Sequence, residues 1–166
     1  MSGFRQLTRK KQQLEEGECI ELLKNTKRGV LSVLGDNGYP YGSPINHFYN
    51  EEDGKIYFHG NMSGHKVDAM KRCDKVSFCV MDEGCHNGDD WFLTVRSVIA
   101  FGRMEFIEDH DVLVDIARKL CHKFTDDEQY IEEEIRNSGP RTLMDAMTIE
   151  NLGGKRVSER EQNTVK

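Results

Sequence analysis

The chain has 166 residues, a length that fits one domain and one core and needs no disulfide or metal to fold. Its 37% apolar and 31% charged residues are those of a water-soluble protein. The net charge of −6 speaks against partners recognised by phosphate neutralisation, nucleic acid above all.

The start, residues 1–13, reads as a solvated arm: Arg9-Lys10-Lys11 lies in it, with no apolar run behind. It does not resemble a secretory signal, and no stretch approaches the roughly 20 apolar residues of a membrane helix. A cytoplasmic location is expected. Leu14 to Asn25 follows as a short helix with Ile20, Leu22 and Leu23 on its apolar side. Val30 to Leu34 is a strand, Asp36-Asn37-Gly38 a hairpin turn, and Tyr39 to Tyr49 the returning strand. Pro40 and Pro44 place that strand at an edge or a bulge, because proline cannot donate to a ladder. Lys55 to His59 makes a third strand and Gly64 to Arg72 a helix. Lys75 to Met81 alternates as a strand, and Asp82 to Asp90 is a polar loop.

Phe92 to Ile107 reads as one long strand, with a bulge or kink at Gly102. An amphipathic helix capped by Asp109 comes next, its apolar face formed by Leu113, Ile116, Ala117, Leu120 and Phe124. Asp127 to Arg136 is a second helix and Thr142 to Glu150 a last strand. A polar tail, residues 153–166, is expected outside the fold, so that residues 14–152 form the domain. About six short strands at hairpin spacing, with few helices, predict an α+β fold around a small, mainly antiparallel barrel.

Five cysteines without CxxC spacing read as free thiols in a reducing compartment. Cys85-His86 and Cys121-His122 lack second ligands at finger-like spacing, so no metal is expected. His86 and His122 read as surface residues, Glu132-Glu133-Glu134 as a solvated helix face, and Trp91 as a core or interface residue. No Ser-His-Asp order or carboxylate pair argues for hydrolysis.

Two segments carry more chemistry. Asn61-Met62-Ser63-Gly64-His65-Lys66 lies between a strand and a helix. Ser63 is placed to cap the helix, Gly64 to let a ligand approach the backbone, and Lys66 to add charge beside the positive helix end. That arrangement holds a phosphate; it also suits an ordinary capped helix with a surface lysine. Gly38 to Phe48 alternates aromatic and amide residues with glycine and proline. It suits a flat heteroaromatic ring, or a plain edge strand with a proline bulge.

Read together, these segments resemble the FMN-binding split-barrel superfamily of the pyridoxamine-phosphate oxidases, and most nearly its 5-nitroimidazole-resistance branch. Gly29-Val30-Leu31 and Gly38 to Pro44 match one block of that family. Tyr57-Phe58-His59 with Gly64-His65-Lys66 match a second, and Ser97-Val98-Ile99-Ala100-Phe101-Gly102 a third. The blocks keep family order, and the likeness covers Leu14 to Lys155. The resemblance implies a split barrel with FMN as cofactor, its phosphate near His59, Ser63 and Lys66. It places the ring against Pro44, Ile45, Asn46 and His47, with Ser97 nearby, and it implies a homodimer with flavin sites at the interface. The C-terminal arginine-and-histidine segment of true pyridoxamine-phosphate oxidases is absent, so vitamin B6 oxidation is not expected.

The expected function is an oxidoreductase passing electrons from a nicotinamide donor to a small acceptor such as a nitroaromatic or quinone. No catalytic residue stands out. The alternative is a protein that holds flavin or haem without turnover, with His47 or His65 as axial ligand. A deazaflavin-dependent reductase is a third, minor expectation.

Overall fold

Alternation builds the barrel wall. In β1 (Arg28–Leu34) Leu31 and Val33 point inward, and in β4 (Lys75–Met81) Val76, Phe78 and Val80 do the same. The computed structural model describes residues 3–86, 88–89 and 91–158. Its other strands are β2 (Pro40–Asn50), β3 (Lys55–Asn61), β5 (Cys85–His86), β6 (Leu93–Phe106) and β7 (Thr142–Ser158). Every pairing is antiparallel, in the order β4-β1-β2-β3-β7-β6, and β4 also pairs with β6, so six strands close a ring. The short β5 hangs on β6, inside the stretch expected to be loop. Four α-helices flank the ring: α1 (Glu16–Asn25), α2 (His65–Arg72), α3 (His110–His122) and α4 (Glu128–Ser138). The α+β split barrel expected from the sequence is the fold observed.

The turn between β1 and β2 carries Asn37 at φ 57° and Gly38 at φ 76°, the left-handed pair that Asn-Gly favours. Beyond it β2 pairs with β1 along Pro40–Asn46, but with β3 only along His47–Asn50. The proline half of β2 thus has a neighbour on one side alone, as proline requires. Past Phe58, β3 parts from β2 and its residues His59, Gly60 and Asn61 keep only β7 as a partner. That parting is the split in the barrel.

Leu31, Ile56, Phe58, Phe78, Val98, Ala100 and Met147 fill the interior, and α1 adds Cys19, Leu22 and Leu23. A smaller cluster lies outside the ring, where Tyr57, Met144 and Ala146 pack against Ile116 of α3. β3 and β7 are therefore buried on both faces. Asp109 caps α3 by accepting from the backbone N–H groups of Asp111 and Val112, as expected. Phe124 lies past the end of α3 and is 37% exposed, with the Lys27 ammonium over its ring.

Four further expectations change. The register of β6 on β7 does shift at Gly102, yet the additional residue, Glu150, belongs to β7. Far from ending at Glu150, β7 pairs with β6 through Ser158, because backbone bonding needs no apolar pattern. The part of the predicted tail from 159 to 166 lies outside the described residues. The arm is not merely solvated: Gln13 bridges to Lys155, and the Phe4 ring stacks on Phe101 with centroids 5.5 Å apart. Trp91 is 78% exposed, which removes it from the core. No described helix is long and apolar enough to cross a membrane.

Candidate functional site

The split opens beside the start of α2. Gly64 precedes that helix at φ 132°, in the left-handed range that glycine tolerates. No side chain caps α2, whereas Asp109 caps α3 and Asp127 caps α4. Ser63, expected to be the cap, is exposed and does not serve. The first backbone N–H groups of α2 are left for solvent or a ligand. His65 is tied to the β1–β2 turn instead: its ring lies 4.2 Å from that of Tyr41, and Nε2 accepts from the Asp36 N–H at 3.3 Å.

Lys66 enters one residue later and turns inward. Its side chain is 15% exposed, with Nζ 4.0 Å from Asp145 Oδ2. The ammonium runs so close to Gly60 that a Cβ there would stand 3.1 Å from Nζ. Asp145, on β7, is fully buried, and neither carboxylate oxygen has a hydrogen-bond partner. Burial raises its carboxyl to about 6, against the pull of Lys66. Burial also lowers the Lys66 ammonium, which Asp145 partly restores.

His59 sits on the other face of β3, opposite Met144. It borders a cavity of about 90 Å³ closed by Leu113, Cys121, Glu134 and Ser138 from α3 and α4. Its buried Nδ1 has no partner, and burial together with the Lys66 charge lowers its pKa. His59 and Lys66 are thus near one another, but they face opposite sides of the strand.

The residues expected along the ring divide. Pro44 is exposed and pairs with Val30, on the outer wall. Ile45 packs against the interior cluster, and Asn46 accepts from Arg28 Nε at 3.0 Å. His47 turns inward. It has no exposed surface; Nε2 lies 2.7 Å from the Leu23 carbonyl, and its ring lies 4.8 Å from that of Phe78. The inward face of β2 carries its side chain into the core. Burial, then the neighbouring Lys123 charge, lowers its pKa to about 4. Ser97 is on β6, across the ring from Lys66, between Met81 and Lys155 on neighbouring strands. One chain does not bring it to the α2 site.

Two residues escaped the sequence reading. Lys123 follows the end of α3, and its ammonium donates to the carbonyls of His47 at 2.9 Å and Leu23 at 3.4 Å. Burial lowers it to about 8. Asp145 stood unnoticed in Leu143-Met144-Asp145-Ala146-Met147, although a lone acid inside an apolar strand was the available signal.

The arrangement offers donors and one cation for an anion at the start of α2, beside an open strand edge. The sequence profile described as pyridoxamine 5′-phosphate oxidase matches residues 15–156. No curated protein matches the sequence. Among solved structures, a Bacteroides thetaiotaomicron protein assigned to 5-nitroimidazole antibiotic resistance is similar, at 16% identity and TM-score 0.72 over 88% of this chain and 87% of that one. An FAD and haem binding protein from Mycobacterium smegmatis shares 20% identity at TM-score 0.70, over 89% of this chain and 74% of its own. An FAD-binding protein from Mesorhizobium loti shares 22% identity at TM-score 0.62, over 87% and 96% respectively. At these identities the structures speak for the fold alone. The profile reaches further, since it spans both the split ring and the α2 site: this chain belongs to the pyridoxamine 5′-phosphate oxidase family.

Proposed function

We propose that the protein binds a flavin by its phosphate, FMN being the form that fits, and passes electrons from a nicotinamide donor to a small acceptor such as a nitroaromatic or quinone. The uncapped start of α2, with Lys66 as its cation, carries this reading. A phosphate needs N–H donors and a positive charge where the chain leaves room, and Gly60, Gly64 and Lys66 supply these together. The residues present therefore fit the group. Family membership and FAD-binding relatives of the same fold support it.

A bound flavin would supply the electron-carrying ring. The chain's own task is to hold and orient it. Lys66 and the first N–H groups of α2 would take the phosphate, with exposed Ser63 beside them. The free edge of β2 from Pro40 to Asn46 offers backbone groups to a ring, and the bond to Arg28 holds the Asn46 side chain in place. His59 and Ser97 remain expected participants. His59 would act from the far face of β3, and Ser97 from a second copy of the chain. That copy is proposed because the wall bearing Ser97 also exposes Val30, Ile99 and Phe101.

The first test is the absorbance of the purified protein and the mass of what heat releases. Yellow protein releasing FMN supports the reading; FAD in its place would move the phosphate contact to a diphosphate. Colourless protein that refuses added FMN removes it. Lys66→Ala should lose a charge-assisted hydrogen bond of roughly 1.5–3 kcal/mol, about 10- to 100-fold in FMN affinity. The haem alternative has less to stand on, since His47 is sealed in the core and His65 is committed to Asp36. Bleaching of bound flavin by a nicotinamide donor separates a reductase from a protein that only binds.

A further inference from the structure

Asp145 has a charge that no hydrogen bond meets. Both oxygens are buried without a partner, and among the described residues Lys66, at 4.0 Å, is the charge that acts on it. Its neighbours across the ladder, Phe58 of β3 and Phe106 of β6, bring no charge. Lys66 therefore stands between two anions once a ligand phosphate arrives: the buried carboxylate behind and the phosphate in front. We propose that Asp145 governs the phosphate site through Lys66: ionised, it competes with the phosphate for the ammonium, and protonated, it releases it. Binding of a phosphorylated flavin then draws a proton onto Asp145. This inference rests on the assignment of Lys66 to the flavin phosphate.

The sign does not depend on whether Lys66 moves. If the ammonium swings toward the phosphate, Asp145 loses its only cation. If it stays, a second anion arrives beside Asp145. Either change raises the proton affinity of the carboxyl. Burial already holds that carboxyl near 6, so a further rise carries it into the neutral range. Of the other titratable groups near Lys66, His59 has its pKa lowered by burial and then by the Lys66 charge. Glu134 of α4 acts on His59 and not on Asp145. Affinity should accordingly strengthen as pH falls from the bound-state value toward about 6. Each unit by which the ligand raises Asp145 is worth about tenfold in Kd. The phosphate's own second ionisation, near 6, works the opposite way. It is common to wild type and variant, so the difference between them isolates Asp145.

The test is titration of apo-protein with FMN, read by flavin fluorescence from pH 5.5 to 8.5, in wild type and Asp145→Asn. Calorimetry in buffers of different ionisation heat counts the protons taken up. Asp145→Asn should bind FMN about tenfold more tightly than wild type at pH 8. The two should converge at pH 5.5, and the wild-type proton uptake should disappear. Riboflavin, which lacks the phosphate, should bind both proteins equally. Matching FMN affinities at every pH would overturn the proposal, as would an equal gain for riboflavin. Asp145→Ser is a second neutral variant should the amide disturb packing. Lys66→Ala separates the two failures. If it binds FMN as wild type does, the Lys66 assignment falls and this proposal falls with it. If it weakens FMN while Asp145→Asn changes nothing, only the role of Asp145 is lost.

Discussion

His47 and Asp145 flank Phe58 on neighbouring strands, at one level of the barrel, and both are fully buried. Their surroundings differ. His47 gives its Nε2–H to the Leu23 carbonyl and leaves its Nδ1 without a partner, while Lys123 donates to the His47 backbone oxygen. Asp145 has only an ammonium 4.0 Å away, itself turned in from the edge of the split. A buried polar group that is hydrogen-bonded holds the fold, whereas one left short costs stability. The first arrangement joins α1, β2 and the end of α3. The second leaves a charge that something outside the chain is able to rebalance. Burial alone thus does not separate the two: His47 keeps one ring nitrogen and its backbone oxygen bonded, whereas neither oxygen of the Asp145 carboxylate is.

Acid separates the two most sharply. The His47 imidazole has its pKa lowered from 6.5 to about 4 in the folded chain. The unfolded chain takes up that proton below 6.5, while the native protein resists until about 4. Stability is therefore lost as pH falls through this window, by about 3 kcal/mol in total. Asp145 runs the other way. Its folded pKa is raised from 3.8 to about 6, so its contribution is full below 3.8 and lost as pH rises through about 6. His47→Gln should flatten the acid limb of a urea-denaturation profile between pH 7 and 4. An unchanged limb would mean that His47 is not held neutral, and the contrast would fail.

Next in size, Asp145→Asn should raise stability at pH 7.5 by up to about 3 kcal/mol, and the gain should vanish near pH 4. The measure is the urea midpoint at the two pH values, without ligand. A loss of stability at pH 7.5 would show that the ion pair with Lys66 outweighs the burial of the carboxylate, and Asp145 would then belong with His47 as a structural group.

Much of this was legible in the sequence, for physical reasons that also mark the limits. Period-two alternation placed β4, Asn37-Gly38 placed the hairpin, and Asp109 placed the start of α3, because each acts within a few residues. The prolines of β2 announced a one-sided strand but not which residues of that strand face inward, so the burial of the His47 side chain was not legible. Gly153 and Gly154 read as the beginning of a tail. Yet Gly154 pairs with Val98 in the ladder, and a Cβ there would stand 2.5 Å from Cys19 Sγ. Lys66 was found because a glycine and a helix start adjoin it in sequence. Asp145 was not, because its meaning depends on an ammonium brought from another element. Charges that meet only through the fold are invisible to local pattern.

The two outer walls of the ring extend the same contrast, with a smaller effect on the chain's own stability. Against β3 and β7, α3 covers Tyr57, Met144 and Ala146. On the outer face of β1, β4 and β6 the described residues leave an open wall: Val30 is 40%, Ile99 43% and Phe101 40% exposed, with Phe4 stacked on Phe101. Exposed apolar walls of this kind mark interaction sites, and the proposal above assigns this one to a second copy. Ile99→Glu should change the unfolding free energy of the monomer by no more than about 0.5 kcal/mol, as expected for an exposed site. It should nevertheless convert a dimer to monomers in sedimentation velocity, because an unpaired carboxylate would be buried twice in a symmetric interface. If the wild type already sediments as a monomer, the open wall is not a self-interface and Ser97 is left without a route to the flavin. If Ile99→Glu unfolds the monomer, the wall is better packed than its exposure allows. Only a dimer lost with the fold intact places the open wall beside the split as part of one flavin site.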